Sequence, residues 1–220
     1  MESAFRDIAL SPDFRVIETL RWDGARAVRA TRHLDRVAAS CAALGIPFDR
    51  AGARAQLDSV KSRTPRRLRL TIAPDGACAL SHAPLAPVSP PWRVTLATQR
   101  LDPADPWLRH KTTRRGLYDT ARALMPEGID EVIFANTRGE ICEGAITNLF
   151  FDLGTGLCTP PLRCGLLPGV LRAELLDGGA CRDEALPLER LEEARLWVGN
   201  SLRGLIPARL AGTAPPQEPR

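Results

Sequence analysis

The sequence predicts an α+β fold in two lobes. Three observations predict it: strand-like and helix-like segments are mixed along the 220 residues, pairs of strands flank short turns, and a proline-rich stretch interrupts the chain at 83–91. The hairpins argue against a regular parallel βαβ array. We therefore predict four segments: a small N-terminal lobe at 1–83, a linker at 84–91, a larger C-terminal lobe at 92–211 and a flexible tail at 212–220.

The composition is that of an ordinary globular protein, with 44% hydrophobic residues, 25% charged residues and a net charge of +4. The arginine-rich stretch at 61–69 lacks interleaved aromatic residues, so we expect no nucleic-acid partner. No apolar run is long enough to span a membrane, and residues 1–10 lack the apolar stretch of a signal peptide. The six cysteines show neither CxxC pairs nor zinc-ligand spacing. We therefore expect a cytoplasmic protein with reduced thiols and no bound metal, whose positive balance suits a small anionic ligand.

The N-terminal lobe begins with a strand-like run at 14–20. A helix follows, because its apolar side chains recur at helical spacing between Thr31, which is placed to cap the start, and Gly45, which suits a left-handed end. Arg36 lies off the apolar stripe of this helix, where it is able to reach a ligand. The rest of the lobe is predicted as a helix at 51–60 and a hairpin of strands at 68–73 and 78–81.

The C-terminal lobe opens with a strand at 92–97. A loop then brings Lys111 to the start of a helix, which carries Leu117, Ala121 and Leu124 on one side. The remaining predicted elements are strands at 131–135 and 141–143, a strand at 146–152 that alternates its faces, a helix that starts near Pro168 and a last strand at 195–199.

Lys111 is the first candidate for chemistry. A lysine near the positive end of a helix has a reason to lose its proton, and a neutral amine is what Schiff-base chemistry needs. Lysine occurs only at positions 61 and 111, against a large excess of arginine, which favours a specific need for this amine. The alternative is an ordinary surface lysine.

Three further segments suggest a ligand. Glu143 lies in an apolar strand, where a buried carboxylate needs a partner such as a protonated pyridine nitrogen, unless it faces water from an edge strand. The segment Gly165 to Arg172 opens a helix whose first amides suit a phosphate, or it is a plain helix entry. The segment Asn200 to Gly204 is either a binding loop or a turn.

Together these segments resemble the class IV aminotransferase family, the fold type IV pyridoxal-phosphate enzymes. The matching segments, in the order of the family, are Glu18-Thr19-Leu20, His33-Leu34-Asp35-Arg36, Lys111-Thr112-Thr113-Arg114-Arg115, Glu143 to Phe150, Gly165 to Arg172 and Asn200 to Gly204. The resemblance implies a two-lobed fold like that of D-amino-acid aminotransferase. It also implies pyridoxal 5'-phosphate (PLP) as the cofactor and a homodimer as the assembly.

The resemblance assigns roles to individual residues. Lys111 matches the lysine that joins the cofactor, Glu143 the carboxylate that faces the pyridine nitrogen, and Arg36 the arginine that grips the phosphate. The other implied cofactor contacts are the amides of Val170 and Leu171 and the hydroxyl of Ser201 around the phosphate, and Ile146 and Thr147 in a cofactor-contacting turn.

Within the family, Lys-Thr-Thr-Arg-Arg-x-x-Tyr and Asn-Ser-Leu-Arg-Gly are most similar to lyase domains of para-aminobenzoate synthesis. The implied function is conversion of 4-amino-4-deoxychorismate to 4-aminobenzoate and pyruvate, with Arg109 and Arg203 as candidates for the substrate carboxylates. The alternatives are an aminotransferase acting on D- or branched-chain amino acids, a PLP-binding protein without turnover, and an interaction protein. Aminotransferases of the family usually carry a tyrosine soon after the lysine, on the cofactor's phenolic oxygen; here the only tyrosine is Tyr118, about one helical turn further on.

Overall fold

A computed structural model describes residues 11–212, so residues 1–10 and most of the predicted tail lie outside the described residues. The chain divides into two compact units. Unit 1 is the chain up to Pro87 together with His110–Arg115, and unit 2 is Val88–Arg109 together with the chain from Gly116 onward. The lobe boundaries drawn from the sequence stay a prediction. The segment that carries Lys111 belongs to unit 1, although the residues before and after it belong to unit 2. The sequence did not predict this.

Unit 1 is a three-stranded antiparallel sheet, in the order β1-β2-β3, with two helices. Its elements are β1 (Val16–Trp22), α1 (Ala30–Leu44), α2 (Arg50–Asp58), β2 (Arg66–Ile72) and β3 (Cys78–Pro84). Side chains such as Leu20, Leu68 and Leu70 are fully or almost fully buried, which explains why alternate positions of these strands are apolar. The predicted first strand, both helices and the hairpin are confirmed.

Helix α1 ends as predicted but begins differently. Gly45 follows its last residue with a φ of 68°, the left-handed conformation that glycine tolerates. The predicted cap at Thr31 is wrong, because Arg29 is the N-cap residue, offers no side-chain cap, and leaves Thr31 inside the helix. The amide of Val28 bonds to the Arg21 carbonyl of β1, and the helix begins two residues later at Ala30.

The segment that carries Lys111 is extended rather than helical. The Ile17 amide donates to the Lys111 carbonyl at 2.8 Å, and the Thr113 amide donates to the Arg15 carbonyl at 2.9 Å, so this segment pairs with β1. The next helix begins only at Gly116. The predicted position of Lys111 at a helix start is therefore wrong, and its amine gains no support from a helix dipole.

Unit 2 is an eight-stranded mixed sheet in the order β10-β11-β4-β5-β6-β7-β8-β9. Strand β10 also pairs with β7, which closes six of the strands into a ring. The strands are β4 (Trp92–Leu101), β5 (Glu131–Asn136), β6 (Ile141–Gly144), β7 (Asn148–Asp152), β8 (Cys158–Thr159), β9 (Arg182–Asp183), β10 (Arg195–Asn200) and β11 (Gly204–Leu210). The helices are α3 (Gly116–Ala123), α4 (Val170–Asp177) and three 3-10 turns at Pro106–Arg109, Leu162–Cys164 and Leu188–Glu193. This mixture confirms the α+β class.

The five residues of β7 are all buried, so both faces of this strand are covered. Leu149 and Phe151 pack in one hydrophobic cluster, as alternate positions on one face of a strand do. The strand pairs with β6, β8 and β10. Three strands of unit 2, namely β8, β9 and β11, were not predicted. Strand β11 was not predicted, because Pro207 interrupts its pattern. It nevertheless pairs with β10 and β4 and completes the ring.

Within residues 11–212, no helix combines the length and apolar character needed to cross a bilayer. The same residues contain no cluster of three or more potential histidine, cysteine or carboxylate metal ligands. All six cysteines are free, and five of them are buried. Burial raises the pKa of thiols such as Cys41, to about 11, which keeps them protonated and unreactive.

Candidate active site

A buried ionic cluster in unit 1 is built around Glu18. Helix α1 presents His33 and Arg36 on one face, and β1 directs Glu18 toward them. The guanidinium of Arg36 donates from Nε to Glu18 Oε1 at 2.8 Å and from Nη2 to Oε2 at 2.7 Å, while His33 Nδ1 lies 2.7 Å from Oε2. Only 1% of the Glu18 side chain is exposed. This is a two-point arginine–carboxylate pair removed from water.

The partners of Glu18 determine its charge. Burial by itself would raise the pKa of the Glu18 carboxyl, but the charges of Arg36 and His33 and their hydrogen bonds outweigh burial and lower the pKa to about 2. Glu18 is therefore a carboxylate at any physiological pH. It supplies the counter-charge that allows Arg36 to lie with only 12% of its side chain exposed.

The ion pair changes the interpretation of Arg36. Sequence reasoning placed Arg36 off the apolar stripe and able to reach a ligand, whereas the structure pairs it with Glu18. A guanidinium has five N–H donors in a fixed fork, so a pair with one carboxylate is compatible with an anionic ligand as well. The contact with phosphate stays a prediction. The sequence predicted no role for Glu18 or His33. The signal that could have indicated Glu18 is a single carboxylate between apolar residues of a strand.

The surroundings of Lys111 also belong to unit 1. Lys111 is half-buried, and its neighbour His110 lies with Nδ1 3.1 Å from Ser40 Oγ, one helical turn beyond Arg36 on α1. Burial lowers the pKa of His110, which favours the neutral imidazole. Thr112, the residue that follows Lys111 in the sequence, is buried. Unit 1 thus carries both cations that the sequence assigned to the cofactor, Lys111 and Arg36.

In unit 2, the Glu143 carboxylate is held at both oxygens. The hydroxyl of Tyr118 donates to Oε1 at 2.7 Å, and the backbone N–H of Leu167 donates to Oε2 at 3.1 Å. Glu143 is only 5% exposed and lies on β6 between β5 and β7. The interpretation of Glu143 as an edge residue facing water is therefore wrong, and the structure agrees with a buried carboxylate that has defined partners.

The turn after Glu143 is fixed by a second buried carboxylate, Glu131. Its Oε2 accepts hydrogen bonds from the Ile146 amide at 3.1 Å and from the Thr147 hydroxyl at 2.9 Å. Burial raises the pKa of the Glu131 carboxyl, and these bonds oppose the rise. A Cβ at Gly144 would lie 2.4 Å from Thr147 Oγ1 and 2.8 Å from Glu131 Oε2, so a side chain there would displace this hydrogen bond. Sequence reasoning missed Glu131, because nothing local to it indicates its partners.

The segment before α4 is attached to β7. Asn148 Nδ2 donates to the Leu167 carbonyl at 3.0 Å, and a Cβ at Gly169 would lie 1.7 Å from Asn148 Oδ1. Gly169 is the N-cap residue of α4 and contributes no side-chain cap. Helix N-termini carry backbone N–H groups without intrahelical partners, so the amides of Val170 and Leu171 are suited to an anion.

The turn after β10 joins the same region of unit 2. Asn200 Nδ2 donates to the Ile146 carbonyl at 3.1 Å, which links this turn to the Glu143 turn. Ser201 is buried in it. A Cβ at Gly199 would lie 3.1 Å from the Leu171 side chain, so α4 packs closely against β10. Hydrogen bonds and close packing thus link the segments of unit 2 that carry the predicted cofactor contacts. Those contacts, at Glu143, Ile146, Thr147, Val170, Leu171 and Ser201, stay a prediction.

The two arginines predicted for substrate have different surroundings. The Arg203 guanidinium carbon lies 5.8 Å from the centre of the Trp92 ring, within the range of a cation–π contact. Arg109 Nη1 is buried and has no hydrogen-bond partner among residues 11–212. A buried guanidinium N–H of this kind fits a ligand oxygen. The contact of either arginine with substrate stays a prediction.

These side chains fit PLP. The cofactor requires a primary amine for its aldehyde, a carboxylate for its ring nitrogen and donors for its phosphate. Unit 1 has an amine at Lys111 and a guanidinium at Arg36, and unit 2 has the buried Glu143 carboxylate and the helix start at Val170. The amine, the carboxylate and the phosphate donors that PLP requires are thus each present in one of the two units.

The family profile described as "Amino-transferase class IV" matches residues 15–211, and the chain belongs to this family. A Mesorhizobium loti protein of known structure, provisionally named an amino-acid aminotransferase, is 48% identical, with a TM-score of 0.84 and coverage of 90% of this chain and 100% of that one. A Legionella pneumophila structure, provisionally named 4-amino-4-deoxychorismate lyase, is 23% identical, with a TM-score of 0.80 and coverage of 94% and 86%. A Schizosaccharomyces pombe protein, provisionally named aminodeoxychorismate lyase, is 25% identical over 77% of this chain and 76% of its own length.

Membership of this family establishes the general chemistry. The protein is a PLP-dependent enzyme with the fold of class IV aminotransferases and aminodeoxychorismate lyases. The similar proteins carry both kinds of name, so they do not distinguish the two activities.

Proposed function

We propose that the protein is an aminodeoxychorismate lyase, which converts 4-amino-4-deoxychorismate to 4-aminobenzoate and pyruvate. The observation that carries the proposal is the hydrogen bond from Tyr118 to Glu143. Aminotransferases of the family usually place a tyrosine on the phenolic oxygen of the cofactor, whereas here the chain's only tyrosine donates to the carboxylate assigned to the ring nitrogen. The name of the Schizosaccharomyces pombe relative is consistent with the proposal.

Lys111 has two tasks in this proposal. Its Nζ would hold PLP covalently in the resting enzyme and would be a free amine once substrate is bound. The released Nζ then accepts the proton from the amine-bearing ring carbon, as a general base. Bound PLP supplies the electron sink for this proton removal. The bond between the ring and the enolpyruvyl oxygen then breaks, the ring becomes aromatic, and pyruvate leaves with that oxygen and takes up a proton as it reaches its keto form.

The other residues bind and orient. Glu143 pairs with the protonated ring nitrogen. Arg36 is the proposed phosphate-binding side chain of unit 1, and the amides at the start of α4 are the proposed phosphate-binding donors of unit 2. Arg109 binds a substrate carboxylate, a proposal supported by its buried Nη1, which lacks a hydrogen-bond partner among the described residues.

The test is incubation of the PLP-loaded protein with 4-amino-4-deoxychorismate, with 4-aminobenzoate and pyruvate both measured. We expect the two products in equal amounts, and no product from Lys111→Ala. The control is Lys61→Ala, which removes the chain's only other lysine and should react like the wild type. A protein that binds PLP but forms neither product would contradict the proposal.

An aminotransferase is the second candidate, favoured by the 48% identity to the Mesorhizobium loti protein. The same PLP-loaded protein is incubated with D- and branched-chain amino acids in the absence of a keto acid. An aminotransferase would convert the bound cofactor to its amine form and release a keto acid, with a change in the cofactor's absorption spectrum. A lyase would leave the bound cofactor in its aldehyde oxidation state.

A further inference from the structure

The Glu143 carboxylate accepts hydrogen bonds from donors on different elements. Tyr118 on α3 donates to one oxygen, and the Leu167 amide, in the segment before α4, donates to the other. A carboxylate held at one oxygen can still turn about its terminal bond, whereas donors at both oxygens fix its plane.

The hydroxyl of Tyr118 is itself fixed by packing. Its ring meets Phe134 edge to face, with ring centres 5.2 Å apart and planes inclined by 76°. Phe134 is fully buried on β5, and Ala121, one turn beyond Tyr118 on α3, is buried in the same cluster. The hydroxyl therefore cannot leave Glu143 without loss of these contacts.

From this arrangement we infer that Tyr118 is a positioning residue that holds the Glu143 carboxylate for the ring nitrogen of PLP. The inference rests on the role proposed for Glu143, but it applies equally to a lyase and to an aminotransferase. Hydrogen bonds to buried charged groups are among the stronger ones in proteins. Loss of the Tyr118 hydroxyl should therefore weaken cofactor binding, although the hydroxyl need not touch the cofactor.

The first measurement is the dissociation constant of PLP, from absorbance titration of the cofactor-free protein. Tyr118→Phe keeps the ring contact with Phe134 and removes only the hydroxyl. We expect binding about tenfold weaker than in the wild type. In a Glu143→Gln background the same substitution should have little further effect, because Tyr118 acts through Glu143. An equal loss in both backgrounds, or no loss in either, would overturn the inference.

A matched control separates positioning from general stability. The Thr159 hydroxyl donates to the Leu149 carbonyl at 2.8 Å, and Thr159 is fully buried in the same unit. Thr159→Val removes a buried hydroxyl bond at similar volume, away from Glu143. We expect it to lower the urea midpoint of unfolding while PLP binds with unchanged affinity. If Thr159→Val weakens PLP binding as much as Tyr118→Phe, the effect of Tyr118 is only structural and the inference fails.

A spectroscopic measurement tests the contact without cofactor or turnover. Because Tyr118 is the only tyrosine, the tyrosine doublet of the Raman spectrum reports on the hydroxyl of this residue alone. Glu143→Gln should change the intensity ratio of the doublet in the cofactor-free protein, and an unchanged ratio would overturn the inference. Failure to form 4-aminobenzoate, with PLP affinity and Raman results as expected, would count against the lyase proposal and leave the role of Tyr118 supported.

Discussion

Replacement of Glu18 by glutamine tests the ionic cluster of unit 1. The substitution keeps the size of the side chain and imposes the neutral state permanently. In the wild type, the carboxylate is 1% exposed and bonds Arg36 through both oxygens. Glutamine can replace at most part of this network, and it leaves the largely buried Arg36 without its counter-charge.

The magnitude follows from the pKa of Glu18, which falls from the ordinary 4.5 to about 2 because the effects of Arg36 and His33 outweigh burial. Each pKa unit corresponds to about 1.4 kcal/mol, so ionisation of Glu18 stabilises the folded state by about 3 kcal/mol at neutral pH. The folded-state pKa is the lower one, so this contribution is complete above the unfolded-state pKa of 4.5 and is lost as the pH falls toward 2. At about pH 3 we expect roughly 1 kcal/mol to remain.

The assay is urea unfolding of the wild type and Glu18→Gln at about pH 7 and at about pH 3, and the measured quantity is the difference in free energy of unfolding. The control is Glu193→Gln, which breaks an exposed pair with Arg190 and should cost less than about 0.5 kcal/mol at either pH. The reasoning is refuted if Glu18→Gln costs no more than the control at neutral pH, or if its cost does not shrink in acid.

Two further predictions concern unit 2. Glu131→Gln should show the opposite pH dependence from Glu18→Gln. Burial raises the pKa of Glu131, so ionisation of this carboxyl opposes folding. In urea unfolding, the free energy of unfolding of Glu131→Gln should therefore increase relative to the wild type as the pH rises through the raised pKa. Gly169→Ala places a Cβ 1.7 Å from Asn148 Oδ1 and should lower the free energy of unfolding by about 2 kcal/mol or more and weaken PLP binding. Gly116→Ala, where nothing lies within 4 Å, is its control; equal costs for the two alanines would contradict the packing argument.

The features that local patterns encode were predicted well from the sequence. Helix α1 and its end at Gly45 follow from apolar spacing and a left-handed glycine, and the hairpin of β2 and β3 follows from its turn residues. Lys111 and Glu143 were singled out by residue type, because a scarce lysine and a carboxylate in an apolar strand are unusual.

The features that depend on distant parts of the chain were not predicted. The pairing of Arg36 with Glu18 joins a helix to a strand 18 residues earlier, and neither local sequence indicates the other. The extended conformation at Lys111 depends on pairing with β1, almost 100 residues away, which overrides the expectation of a helix start. Glu131 meets its hydrogen-bond partners, Ile146 and Thr147, only when the chain has folded, because they lie 15 and 16 residues further along.

We propose that PLP joins the protein through Lys111. Reduction of the PLP-loaded protein with borohydride, followed by proteolysis and mass spectrometry, locates the attached cofactor directly. Lysine occurs only at positions 61 and 111, so the result is nearly a binary choice. We predict the phosphopyridoxyl group on the Lys111 peptide and none on the Lys61 peptide. Attachment at Lys61, or no attachment under saturating PLP, would contradict the account.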